Sequence, residues 1–419
     1  MRSESKLSVD EARLWQRIES LARFGATPAG GVTRLALSEE DRAAANEVGR
    51  WLEPLGFEHR PDSAGNHFWR YSNGSREPAV LLGSHLDSVP NGGRFDGTAG
   101  VVAAAEVAQV LAESGQELRR PIEVVSFANE EGVRFAGGLM GSQAVAGRFG
   151  DEALLDVTDR EGVSLREALT SAGVSNPSLL AARRAPETVH AYYELHIEQG
   201  GVLEQAHVAV GLVSGITGLV QVRIELTGRS GHAGATPMEG RRDPMAGAAQ
   251  VVQRVEEIAR ASSGSVRGTV GWLQASPGAD NVIPDSVTFS VDLRSVDGEA
   301  LEEAVQTLFA AVDAISKERA LGWRVLARQH TQPVNLDEGL RAEMERSARA
   351  SGRDVLTLPS GGGHDAMIMQ STWPTAMVFV RSQDGLSHCP EEYSSPADLA
   401  AGAQVMLMAV AQAVGVDLG

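Results

Sequence analysis

Seven side chains able to hold a metal ion or move a proton, His85, Asp87, Asp96, Glu130, Glu131, His196 and His388, fall in four short segments: SHLDSVPNGGRFDG (84–97), NEEG (129–132), ELHIEQG (194–200) and SHCPEEYS (387–394). Imidazole nitrogen and carboxylate oxygen suit zinc, manganese, cobalt or nickel better than calcium or magnesium. Ions of that kind activate water, so the chemistry on offer is metal-assisted hydrolysis. His85 and Asp87 stand two residues apart at the end of an apolar run and should point the same way. Asp87 is thereby expected to take the second N–H of the His85 ring, the contact that orients a metal-binding histidine. Asp96 lies among glycines, where the backbone can bring a carboxylate into a crowded site and let it serve two cations. Glu130 and Glu131 are adjacent and diverge, so one can bind an ion while the other faces water. A fifth segment, SGHAGATPM (230–238), adds His232. His59, His67, His190, His207 and His330 lack such context and are expected to be structural or surface residues. Cys389, beside His388, has no base and orienter around it, so packing or support of the site is expected rather than nucleophilic attack.

The elements that would position these residues alternate. Glu11 to Ala22 and Arg42 to Leu55 have helical patterns, the second opened by Ser38 and Asp41. Ala79 to Gly83, Ile122 to Ala128, Tyr192 to His196 and Thr375 to Val380 are short apolar runs typical of buried parallel strands, with a small-residue helix from Gly97 to Glu113 and a closing helix from Pro396 to Val414. Between 213 and 329 the order becomes strand Leu219–Thr227, helix Asp243–Arg260, strand Gly268–Leu273, strand Ser286–Leu293, helix Glu299–Lys317 and strand Trp323–Arg328. That β-α-β-β-α-β order is the ferredoxin-like split motif. The expected fold is α/β: a mixed, largely parallel-sheet catalytic domain from residues 1–212 and 330–419, with an inserted α+β domain at 213–329. Gly211 to Gly218 and Gln329 to Val334 are the expected hinges.

Composition narrows the partners. The formal net charge is −18, which disfavours nucleic acid and anionic membrane, both of which need a positive face. An anionic substrate would then need its own local arginine. The single cysteine, Cys389, rules out an intrachain disulfide framework and fits a reducing cytoplasm. No signal-like or membrane-spanning apolar run is legible, the longest stretch, Val405 to Val416, being broken by Gln412 and Gly415. The only lysines, Lys6 and Lys317, lie in no phosphate-loop or Schiff-base context.

At HLD, GGRFDG, NEEGVRF, ELHIEQG, SGHAGATPM and SHCPEEYS the chain resembles the M20 metallopeptidase superfamily, and more narrowly its amidase branch of N-carbamoyl-L-amino acid hydrolases, ureidopropionases and allantoate amidohydrolases. The resemblance spans about residues 10 to 415, and ELHIEQG separates the branch from related aminopeptidases. It implies two divalent ions per subunit (Zn, or Mn, Co or Ni), one held by His85, Asp96 and His196, the other by Asp96, Glu131 and His388, with Asp96 bridging and Glu130 as general base. It further implies that His232 stabilises the oxyanion, that Asn281 and Arg294 grip the substrate carboxylate, that Gln199 meets the ureido group, and that Gly361 to His364, including Gly362 and Gly363, offer backbone donors. By resemblance the inserted domain is a lid and dimerisation domain, and His232 and Asn281 reach the active site of the neighbouring subunit of a homodimer. The implied reaction is cleavage of the ureido C–N bond of an N-carbamoyl-L-amino acid, a small anionic substrate, to amino acid, carbon dioxide and ammonia. Allantoate is the alternative substrate. A dipeptidase or aminoacylase is disfavoured by ELHIEQG, and a catalytically silent binding protein by the presence of every ligand and of the base. Gly201 stands where the branch commonly has proline, so a looser loop is expected there.

Overall fold

The computed structural model describes residues 7–72 and 74–416. The chain forms two compact units, one running up to Ser214 and resuming at Leu336, the other covering Gly215–Asn335.

In the first unit four strands lie parallel in the order Ile122–Phe127, Ala79–His85, Val189–Ile197, Thr375–Val380. Every residue of the first, second and fourth is buried, as expected where helices cover both faces of a parallel sheet. The helices Thr98–Glu113 and Pro396–Ala413 pack against each other and against this sheet, with Glu11–Leu21 joining them. Most of Thr98–Glu113 is buried, because its alanines and Gly100 allow close approach on several sides.

The parallel centre matches the sequence reading, and its flanks do not come from it. The antiparallel hairpin Glu58–Pro61/His67–Tyr71 extends the sheet beside Ile122–Phe127. The boundary between the units falls within residues 211–218, the expected hinge, and most of that segment is strand: Val210–Ile216 runs antiparallel to Thr375–Val380. Gly211 in it faces the side chains of Leu358 and Leu203 and marks tight packing. The return is ordered too, with Val334–Asn335 pairing onto Gly215–Ile216.

The second unit is an antiparallel sheet in the order Gly322–Thr331, Gly218–Thr227, Ser286–Ser295, with Val266–Thr269 and Leu273–Ser276 both pairing to Ser286–Ser295. The single strand expected at Gly268–Leu273 is therefore two, interrupted at residues 270–272. Helices Pro244–Ala261 and Gly298–Glu318 pack on the sheet around Val222, Ile224, Phe289 and Val291. Among the described residues, no helix is long and apolar enough to cross a membrane.

Candidate metal centre

Parallel strands put their carboxyl ends on one side, and that is where α/β folds collect polar groups. Leu82 pairs with Tyr193, so three residues later His85 and His196 reach the same level at two adjacent strand ends. Their ring centroids are 6.1 Å apart. Each ring is fixed through Nδ1, His85 by the backbone carbonyl of Asp87 and His196 by that of Ile197, both at 2.9 Å. A carbonyl only accepts, so Nδ1 carries the proton and Nε2 is left with its lone pair. Both Nε2 atoms face Asp96 Oδ1, His196 at 3.1 Å and His85 at 3.8 Å.

The Asp87 carboxylate does not orient His85 as expected. Its nearest oxygen is 3.9 Å from His85 Nδ1, and it instead accepts the backbone N–H groups of Glu130 and Glu131, each at 3.2 Å. Two residues after a strand end the chain has turned, so the alternation that placed the Asp87 side chain no longer applies. Asp87 positions the acidic dipeptide, and its main chain orients the histidine.

Asp96 is delivered by a tight turn centred on Gly97, at φ 61° and ψ −49°, closed by Thr98 N donating to Asp96 O at 2.5 Å. A side chain at position 97 could not be accommodated, because a Cβ there would lie 2.3–2.5 Å from three atoms of the His85 ring. The second oxygen of Asp96 faces elsewhere: Oδ2 lies 3.1 Å from His388 Nε2 and accepts from Gln199 Nε2 at 2.9 Å. Glu131 Oε2 is 3.9 Å from His388 Nε2, and Glu130 Oε2 is 3.6 Å from His85 Nε2. Two clusters of ligand atoms result, His85–Asp96–His196 and Asp96–Glu131–His388, with one carboxylate common to both.

The electrostatics of the clusters call for positive charge. Burial would raise Asp96, but His196 and His388 hold it well below the usual carboxylate range. His196 is driven up to about 9 by Asp96 against the opposing effect of burial, and His388 to about 9 chiefly by its hydrogen bond to Asp96. Burial, then repulsion from Asp96 and Asp87, lifts Glu131 to about 8. Burial, then Asp365 and Glu131, lifts Glu130 well above its ordinary value. Protons at these positions do what divalent cations would do better. Glu131 Oε1 is buried with no protein partner, and the Nε2 lone pairs of His85 and His196 converge on a carboxylate, so the donor set fits two such ions. A third cluster, Glu194–His196–His364, is otherwise engaged. Ser84 Oγ and Ala366 N satisfy the two Glu194 oxygens, and His364 Nε2 bonds Ser360 Oγ.

The remaining expected residues divide between the units. Gln199 joins the metal centre, bonding Ser387 Oγ at 3.1 Å as well as Asp96. Gly362 lies beside Gln199, a Cβ on it falling 3.2 Å from Gln199 Oε1, while its N–H and carbonyl bond to Ser360 Oγ. Gly363, the next residue, lies in the same loop before the short helix Asp365–Met369. His232, Asn281 and Arg294 all belong to the second unit. His232 and Asn281 come together through the pairing of Gly231–His232 with Val282–Ile283, Ala233 N donating to Asn281 O at 2.9 Å. His232 Nδ1 accepts two backbone N–H groups, from Gly234 at 3.1 Å and Ala235 at 3.2 Å, so its proton resides on the exposed Nε2. Arg294, on the strand Ser286–Ser295, pairs with Asp292 at 2.9 Å.

Sequence reasoning passed over Glu194 and Glu392, and took His364 only for its backbone. Glu194 could have been found from its place two residues before His196 on one strand, the same face by alternation. Glu392 gave no such signal, since nothing in the string Pro390-Glu391-Glu392 separates the exposed acid from the buried one.

The model of peptidase family M20/M25/M40 matches residues 81–412. An N-carbamoyl-L-amino acid amidohydrolase of Geobacillus stearothermophilus is 45% identical over 401 residues, covering 96% of this chain and 98% of its own. An allantoate amidohydrolase of Bacillus subtilis is 34% identical over 405 residues, covering 96% and 97%. The crystal structure of an amidase of the hydantoinase/carbamoylase family from Burkholderia multivorans superposes with a TM-score of 0.92 at 37% identity, covering 97% of this chain and 98% of that one. The chain thus belongs to peptidase family M20/M25/M40, in its hydantoinase/carbamoylase amidase branch.

Proposed function

We propose that this protein hydrolyses the ureido C–N bond of an N-carbamoyl-L-amino acid, yielding the amino acid, carbon dioxide and ammonia. The observation that carries the reading is the single carboxylate, Asp96, common to two ligand clusters, with a buried glutamate that belongs to neither, Glu130, 3.6 Å from His85. The carbamoyl substrate is favoured by the relative that is 45% identical over nearly the full length. His85, Asp96 and His196 would hold one divalent ion and Asp96, Glu131 and His388 the other, with zinc, manganese, cobalt or nickel suiting the donors. When bound, such a pair lowers the pKa of water and polarises the carbonyl under attack.

The chain's own groups supply the rest. Glu130, poised high by burial and neighbouring acids, accepts a proton from the attacking water and returns it to the leaving nitrogen, a service commonly worth about 10²–10⁴ in rate. Asp87 steadies Glu130 and Glu131 through their N–H groups. Gln199 keeps its carbonyl oxygen available to a ureido N–H while its amide donates to Asp96. His232 acts as a neutral donor from Nε2 to the developing oxyanion, the tautomer its two backbone bonds select. Arg294 suits the substrate carboxylate because a guanidinium matches both oxygens, and Asn281 serves the same end. These three residues act from the second unit, the lid in this reading.

The protein is further proposed to be a cytoplasmic homodimer. The strand Gly322–Thr331 is an edge of its sheet, and Val325 and Leu326 on it are 40% and 43% exposed, an open template for pairing with a second copy. The substrate assignment is tested by ammonia release from a series of N-carbamoyl-L-amino acids and from allantoate, with the chelated protein reconstituted by each metal in turn. Preferential turnover of allantoate would transfer the assignment to that substrate, and turnover of neither would remove the ureido reading.

A further inference from the structure

Asp96 must turn one oxygen toward each ligand cluster, yet it sits in Asn91-Gly92-Gly93-Arg94-Phe95-Asp96-Gly97, whose glycines leave the backbone little rigidity of its own. Something outside that loop has to hold it. From the His388 loop one buried side chain, Glu392, 3% exposed, reaches across to its main chain. Glu392 Oε1 accepts two consecutive backbone N–H groups, from Phe95 at 2.9 Å and Asp96 at 3.0 Å. Its other oxygen accepts Ser387 Oγ at 2.9 Å, and that hydroxyl also lies 3.3 Å from Asp96 Oδ2. The side chain occupies the space a Cβ at Gly93 would need, 2.0 Å from Oε1, so the glycine and the glutamate form one fitted contact. Phe95 and Tyr393 meet edge to face with centroids 5.8 Å apart, closing the same junction.

We infer that Glu392 is a positioning residue that locks the loop bearing the shared ligand Asp96 to the loop bearing His388, and so sets the second cation site. This inference rests on the two-ion reading above. The two sites differ in what builds them. His85 and His196 stand on strand ends that the sheet holds whether or not Glu392 is present. His388 lies on a loop at φ 59°, a left-handed conformation unfavourable for a histidine, and needs the junction to keep it facing Asp96 Oδ2. Removing Glu392 should therefore loosen the second site more than the first, where Asp96 is joined by two strand-held histidines, in the way partners of metal ligands generally tune affinity.

The test is titration of the full, metal-stripped chain with Mn²⁺ alone, followed by calorimetry, with bound metal counted after dialysis. The wild-type chain should take two ions. Glu392→Ala should bind one ion about 10–100-fold more weakly and the other with a clearly smaller loss. Glu392→Gln, whose amide oxygen can still accept from Phe95 and Asp96, should restore both. Ser387→Ala, which removes only the hydroxyl link, should weaken the same ion to a smaller degree, and it guards against the Ala variant failing to fold. Two ions at wild-type affinity in both Glu392→Ala and Ser387→Ala would overturn the assignment, as would equal weakening of both ions in Glu392→Ala. A wild-type chain that takes fewer than two ions would instead remove the two-ion reading itself, so the two failures are distinguishable.

Discussion

Replacing Gly97 by alanine probes how closely the metal centre is built. The added methyl carbon would lie 2.3 Å from Cε1, 2.4 Å from Nε2 and 2.5 Å from Nδ1 of His85, whereas ordinary contact begins near 3.4 Å. The imidazole would have to retreat by about 1 Å, the order of displacement that costs roughly 10²-fold in a positioned reaction. It cannot retreat freely, since Nδ1 is bound to the Asp87 carbonyl and the ring is 2% exposed. The turn itself resists, because φ 61° at a non-glycine residue costs about 1–2 kcal/mol. Gly97→Ala should therefore lose the ion nearest His85 by at least about tenfold in affinity and about 10²-fold in turnover, while the second unit, which has its own core, keeps its unfolding behaviour. Metal content after dialysis, ammonia release and thermal unfolding measure the three effects. A variant that retained two ions and wild-type turnover would show that His85 is not fixed against Gly97 as described.

Asp87→Ala would leave the N–H groups of Glu130 and Glu131 without their acceptor, a loss of about 1–3 kcal/mol for each buried group; turnover should fall along with the affinity of the ion held by Glu131, and a variant normal in both would refute the role. His67, pushed down to about 3 by burial and by His59 beside it, stays neutral in the fold while the unfolded chain protonates near 6.5. Its contribution is therefore intact above pH 6.5 and is lost as pH falls toward 3, by up to about 1.4 kcal/mol per pH unit. His67→Phe should accordingly gain in melting temperature relative to wild type between pH 7 and 4.5, and a difference independent of pH would contradict this. Leu326→Asp should shift the protein toward monomer in sedimentation velocity, and an unchanged dimer would place the interface elsewhere.

The parallel strands and the groups that gather at their ends were legible in the sequence for related physical reasons. Buried parallel strands are short apolar runs, and histidines or acids directly after such runs stand out against them, as at His85, His196 and Glu131. Thr375–Val380 was recovered residue for residue because its apolar run is bounded by Pro374 on one side and Arg381 on the other. Legibility failed where a residue's meaning depends on a distant partner. The hairpin Glu58–Tyr71 mixes histidine, arginine and aromatic residues and has no clean alternation. The close packing of Gly211 depends on Leu358, a partner far along the chain. Asp87 was assigned by strand alternation past the point where the strand ends. Glu392 takes its role from contacts with Phe95 and Asp96 almost 300 residues away, which no local pattern encodes.

In the proposed mechanism Glu130 moves the proton while other residues hold the ions. This division of roles is tested most directly by Glu130→Gln, assayed for metal content and for turnover of an N-carbamoyl-L-amino acid in the same preparation. The expected result is two ions retained and turnover lower by about 10²–10⁴. Wild-type turnover in that variant, or loss of an ion together with activity, would contradict the assignment.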